Sequence, residues 1–361
     1  MKILRPISIH MSCLMLTANA AAQISLTPPA ADTPPAADKS AAKPKAKPPA
    51  VAKKPPAPTA TAKPAPPVAA PVATVTPAPA PDDPNADLVY GAYQRGQYKT
   101  AFDLASKRAQ DFSDPKAMTM LGELYANGLG VKRDYARAAG WYKRAADGGD
   151  REGMFALAML RLAGRGGPVD REEAVKLLAS AAKLGNPKAA YNLALLYLDG
   201  QTLPQDLKRA SELLRISADA GNPEAQYALA TFYKEGTGVP KDIEKAIRLL
   251  QAASLADHVD AEVEYAIALF NGTGTPKNEA AAVALLHKAA RQNSPIAQNR
   301  LARVLVSGQG APMDKIEGLK WHIVAKTAGK GDPSLDEALA ALSPEDRTKA
   351  QDAARKWLGT K

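Results

Sequence analysis

A spacing of 36 residues constrains this chain more than any other feature. Glycine recurs at positions 128, 164, 200, 236, 272 and 308. Leu121, Leu157, Leu193, Leu229, Tyr265 and Leu301 keep the same interval, as do Ala138, Ala174, Ala210, Ala246, Ala282 and finally Gly318. No insertion breaks the register over six units. A period of this length is the mark of stacked supersecondary units, each too small to bury its own apolar face.

Each unit reads as two helices. In the first, Ala117, Leu121, Leu124 and Tyr125 recur at helical spacing. Gly128 follows as a residue able to take positive φ at a helix end. Asp134, Asp170, Asp206, Asp242, Asn278 and Asp314 stand where a second helix needs an N-cap acceptor. Pro168, Pro204, Pro240, Pro276 and Pro312 lie two residues earlier, where they keep the loop from becoming helix. The register of Trp141, Leu177, Leu213, Leu249, Leu285 and Trp321 is expected to supply the large core side chain of the second helices. The predicted fold is all-α, a solenoid of helical hairpins with six repeats over 115–332. An N-terminal hairpin is expected over 87–114 and capping helices over 333–361, the last starting at Ser343-Pro344-Glu345-Asp346.

The first 86 residues are of another kind. Lys2 and Arg5, the short apolar stretch from Ile7 to Leu16, and Ala18-Asn19-Ala20 or Ala20-Ala21-Ala22 read as a signal peptide over 1–22. Cleavage there removes Cys13, the only cysteine, and with it disulfides, thiolate metal sites and cysteine nucleophiles. Residues 23–86 are dominated by Ala, Pro and Lys and lack the apolar surface that offsets ordering entropy, so a disordered, semi-stiff linker is expected. Fully extended, it would reach roughly 200 Å. No transmembrane segment is expected after processing.

Charge narrows the function classes. The chain carries a net +10, yet from Leu88 onward 38 basic residues face 32 acidic ones. They alternate along solvated helix faces instead of forming one basic patch with interleaved aromatics, so a nucleic-acid partner is not expected. His258, His287 and His322 lack the i, i+4 spacing of a helical metal site. Gly236-Thr237-Gly238 and Gly272-Thr273-Gly274 lack the Gly-Lys-Ser/Thr ending of a phosphate loop. Neither cofactor nor catalytic residue is predicted.

The pattern Ala117, Leu121, Gly122, Tyr125, then Gly128, Gly130, Val131, Asp134, then Ala138, Trp141, Tyr142, Ala145, Ala146, Gly149 resembles the Sel-one-like repeat family. Residues 87–112 look more like a related tetratricopeptide unit. In the fifth repeat, Tyr265 and Ala268 replace the Leu121 and Leu124 pair, and just ahead of it Asp257 replaces the closing glycine. The resemblance implies a right-handed superhelix that serves as an adaptor or scaffold. Exported bacterial members regulate envelope sensors, scaffold polysaccharide export or meet host factors. A cysteine-rich subgroup is linked to penicillin binding, but its paired cysteines are missing here.

In related solenoids the concave wall is lined by first-helix residues two before and two after the Leu121-type position. That register gives Phe155, Tyr191 and Tyr227, then Met159 and Leu195, with Lys234, Phe270 and Arg303 further along the wall. This ladder is open to two readings, tightly wound core or partner groove. The expected function is a periplasmic or secreted protein-binding scaffold, regulating an envelope signalling or assembly complex. The alternatives are a structural factor touching cell wall or polysaccharide through the Lys/Pro-rich linker and, more distantly, a hydrolase of a β-lactam or peptidoglycan fragment.

Overall fold

Helices α1 (Leu88–Gln94) and α2 (Tyr98–Phe112) open the computed structural model, which describes residues 87–359. The targeting and linker readings for residues 1–86 lie outside the described residues. Six hairpins follow, every helix 13 residues long: α3 (Pro115–Asn127) with α4 (Tyr135–Asp147), and α5 (Arg151–Ala163) with α6 (Arg171–Lys183). Then come α7 (Pro187–Asp199) with α8 (Leu207–Asp219), and α9 (Pro223–Glu235) with α10 (Ile243–Leu255). The last two are α11 (Val259–Asn271) with α12 (Glu279–Arg291), and α13 (Pro295–Ser307) with α14 (Lys315–Thr327). Helices α15 (Pro333–Ala340) and α16 (Pro344–Gly359) close the array, and α16 packs on α14. No strand occurs among the described residues. From α1 to α15 each helix packs on its neighbours in sequence, which is an α-solenoid.

The polar ends of the helices explain the uniform length. Asp134, Asp170, Asp206, Asp242, Asn278 and Asp314 each accept a hydrogen bond from the backbone N–H three residues on, at 2.8–3.0 Å. The first helices have their own series of caps, also 36 apart: Asp114, Asp150, Asn186, Asn222, His258 and Ser294. His258 does this through Nδ1, which accepts from the Ala261 N–H at 3.2 Å. At the other end of each first helix, Gly128 and its five equivalents take φ between 62° and 78°, the left-handed C-cap that glycine adopts without penalty. At Ser343 the hydroxyl accepts from the Asp346 N–H and starts α16.

The core sits one residue beyond the expected register. Tyr142, Leu178, Leu214, Leu250, Leu286 and His322 are the buried large side chains of the second helices. Trp141, Leu177, Leu213, Leu249 and Leu285 are only half-buried, and Trp321 alone of that series is enclosed. The physical reason is that each second helix packs its Ala138-type and Ala145-type residues inward. Three- and four-residue spacing from these alone suits 141 and 142 equally. The Ala139-type and Ala146-type positions are mostly buried as well, and they stand three before and four after 142, so the buried face centres on 142 and 141 turns towards the flank. His322, entirely enclosed in the last unit, places Nε2 2.9 Å from Asp336 of α15, which ties the closing helices to the array.

The two helices of a unit are also stitched from outside. Arg137 lies over the Tyr125 ring, Arg209 over Tyr197 and Lys245 over Tyr233, each cation 5.5–5.9 Å from the ring centroid. In the second unit the same two positions hold Arg161 and Glu173, ion-paired at 2.5 Å. One pair of positions is thus filled by two different attractive chemistries.

Candidate functional site: the wall of first helices

Along a first helix, positions three and four apart share a face. The buried face of α7 carries Ala189, Ala190, Leu193 and Ala194, and the corresponding residues of the other units are buried with them, except half-buried Met154 and Tyr265. The opposite face carries Lys188, Tyr191, Leu195 and Leu198 in α7, and Glu224, Tyr227, Thr231 and Lys234 in α9. The solenoid repeats this face once per unit.

Of the residues expected on this wall, Phe155, Met159, Tyr191 and Leu195 are half-buried, with part of each side chain open to solvent. They come from α5 and α7, consecutive first helices. Phe155 also packs against the core cluster around Leu178, and Tyr191 against the one around Leu214. These side chains both cover core and present surface. Phe270 behaves differently: it is 8% exposed and belongs to the interior of α11.

The charged members are not free. Lys234 Nζ lies 2.5 Å from Glu264 Oε2, and the Tyr227 hydroxyl donates to Glu264 Oε1 at 2.9 Å. Glu264 belongs to the next unit, so Tyr227, Lys234 and Glu264 form a polar bridge across the α9–α11 junction. Tyr227 also stacks on the His258 ring, centroids 4.7 Å apart. Burial, with the Glu264 charge behind it, pushes the Tyr227 phenol well above its ordinary pKa, so it remains a donor. Arg303 pairs with Asp332 at 2.6 Å, at the foot of α15. The sequence names each of these residues but not its charged partner, because Glu264 comes from the next unit and Asp332 from the cap of α15.

One buried carboxylate was not anticipated. Glu262 is fully enclosed and ion-paired with Lys288 at 2.6 Å, while Gln292 Nε2 donates to Glu262 Oε2 at 3.1 Å. Gln226 and Gln298 hold the same register in α9 and α13 and donate to the Ala218 and Ala290 carbonyls. This site is an internal fastening of the fifth unit, satisfied on all sides as a buried charge must be.

The three described histidines are dispersed. His258 caps a helix, His322 meets Asp336, and half-buried His287 has its pKa lowered chiefly by burial. Among the described residues no three His, Cys, Asp or Glu side chains are grouped to hold a metal ion. No described helix is long and apolar enough to cross a membrane.

Fold and wall together define an α-solenoid of short helical hairpins. The Sel1 repeat pattern matches residues 115–150, 151–186, 187–222, 223–258, 259–294 and 295–330, well over half of the chain. This chain belongs to the Sel1 repeat family. Sel1 repeats act generally as protein–protein interaction scaffolds. Among solved structures, a Sel1 repeat protein from Oxalobacter formigenes is 26% identical with a TM-score of 0.58, over 66% of this chain and 98% of that one. A protective antigen of uropathogenic Escherichia coli displaying an SLR fold is 25% identical with a TM-score of 0.52, over 74% of this chain and 67% of that one. No curated protein matches this chain.

Proposed function

We propose that this chain is an exported, periplasmic or secreted scaffold that captures another protein on its first-helix wall and regulates an envelope signalling or assembly complex. One observation carries the choice of surface. Phe155, Met159, Tyr191 and Leu195 form consecutive apolar steps on two neighbouring first helices, and each keeps part of its surface in water. Contiguous apolar surface left open on a soluble array is characteristic of a contact site, and aromatic side chains are the usual anchors there. The export reading rests on Lys2, Arg5 and the small-residue cleavage site in the sequence. The alternative of cell-wall contact through the Lys/Pro-rich linker rests on residues 23–86, outside the described residues.

The test places a photo-crosslinking residue at Leu195 on the wall or at Lys176 on the exposed outer face of α6, in cells expressing the full chain. The expected result is a discrete adduct from position 195 and none from position 176. Amino-terminal sequencing of the same envelope-fraction protein is expected to start at Ala21 or Gln23. Adducts from 176 alone would move the binding surface to the second helices. An intact Met1 in a soluble cytoplasmic pool would overturn the export reading.

A further inference from the structure

The wall has a sign. Over α7, α9 and α11, its solvent-side face carries five acidic residues, Asp199, Glu224, Glu235, Asp260 and Glu264, against two basic ones, Lys188 and Lys234. This reverses the balance of a chain whose net charge is +10. Glu264 is matched by Lys234. Asp199, Glu224, Glu235 and Asp260 have no ion-pair partner among the described residues, although most acidic side chains on the second helices do. The acidic stretch ends at α13, whose wall positions hold Arg300 and Arg303.

These carboxylates stand at the two ends of the first helices, positions 224 and 260 at the start and 199 and 235 at the finish. On α9, Glu224 and Glu235 bracket Tyr227 and Thr231, while on α7 Lys188 precedes and Asp199 follows the apolar steps of Tyr191 and Leu195. An apolar strip between two acidic margins suits a segment with apolar side chains along its middle and ammonium or guanidinium groups at its sides. Lysine and arginine are built for this, because their methylene stems lie along apolar surface while the charged heads reach outward. Arginine gains further by lying over a tyrosine face.

We infer that the partner segment captured by this wall is basic and amphipathic, with lysine or arginine beside its apolar anchors. This rests on the proposed first-helix surface and adds the chemistry of what that surface accepts. An acidic segment, or an anionic polymer, would meet four unmatched carboxylates. Like-charge juxtaposition of this kind is how interfaces reject wrong partners.

The test uses the full mature chain and three labelled synthetic peptides with the same apolar positions, whose flanking positions are all lysine, all serine or all glutamate. Fluorescence anisotropy at low salt is expected to rank lysine above serine above glutamate, with at least about a tenfold gap between the extremes that narrows as salt rises. Glu224→Gln with Asp260→Asn, both exposed and outside any ion pair, is expected to shrink that gap at least about threefold and leave the unfolding midpoint in place. Equal or tighter binding of the glutamate peptide, or a gap unchanged in the double variant, would overturn the inference while leaving the wall as a binding surface. If Tyr191→Ala weakened none of the three peptides, the wall itself would fall as the site, and this inference with it.

Discussion

Leu214→Ala is expected to cost about 2–5 kcal/mol of folding stability, the range for truncating a fully buried leucine. Leu214 is completely enclosed. Its cluster draws Ala194 from α7, Ala210 and Ala218 from α8, and Ala225, Leu229 and Phe232 from α9, so it stands at the junction of two units. Its alanine neighbours have no longer side chain to swing into a void, which leaves larger buried side chains such as Leu229 and Phe232 to relax towards it. Leu213, next in sequence but half-buried, is the internal control, and Leu213→Ala is expected to cost clearly less. Urea unfolding of the two variants makes the comparison. Amide exchange adds a second readout: protection should fall in α7 to α9 and persist in α13 and α14, because each unit touches only its neighbours. Equal losses for the two leucines would contradict the assignment of the core register.

The second large effect belongs to a loop. Gly166 has φ +74°, and a Cβ built there would lie 2.1 Å from the Tyr135 carbonyl oxygen at the start of α4. The loop of one unit thus rests directly on the second helix of the unit before it. Gly166→Ala brings two separate costs, a left-handed backbone for a residue with a side chain and an overlap with main chain that has little freedom to retreat. Together they are expected to destabilise by about 2–4 kcal/mol. Gly221 separates the two, since its φ is +86° with nothing within 4 Å of the built Cβ. Gly221→Ala should therefore show only the conformational part, about 1 kcal/mol. Thermal unfolding of both variants distinguishes them, and similar midpoints would mean that the loop gives way without resistance.

What was legible in the sequence follows from what kind of order repeats. The 36-residue period, the six glycine C-caps and the aspartate caps of the second helices repeat by residue type, and each stands where expected. The caps of the first helices escaped notice because their chemistry repeats while their identity does not: aspartate, asparagine, histidine and serine are all acceptors. Core register slipped by one for a related reason. Leu177-Leu178, Leu213-Leu214, Leu249-Leu250 and Leu285-Leu286 put two equal side chains side by side, and apolar pattern alone has no means of choosing between them. The third unit hides another departure, since Thr202 occupies the register of Gly166 and no positive φ occurs there.

The candidate wall was readable as a row of residue types but not as a set of contacts. Periodicity placed Tyr191 and Tyr227 as equivalents. Only the fold shows that Tyr227 is fastened to Glu264 across a unit boundary and stacks on His258 at the start of α11. The Tyr227 bridge bears on the choice of variants. Replacing Tyr227 disturbs a polar bridge between units, whereas Tyr191 and Leu195 sit together on α7 within the half-open strip.

Binding and folding are therefore best separated with Tyr191→Ala combined with Leu195→Ala, measured for partner capture and for unfolding in the same preparation. An anchor near the centre of an interface commonly contributes at least about 2 kcal/mol when truncated, so the pair should weaken capture more than about tenfold. Because both side chains are only half-buried, the unfolding midpoint should fall much less than in Leu214→Ala. A double variant that loses as much stability as Leu214→Ala, while its folded fraction captures the partner normally, would show that the strip is core and that binding lies elsewhere.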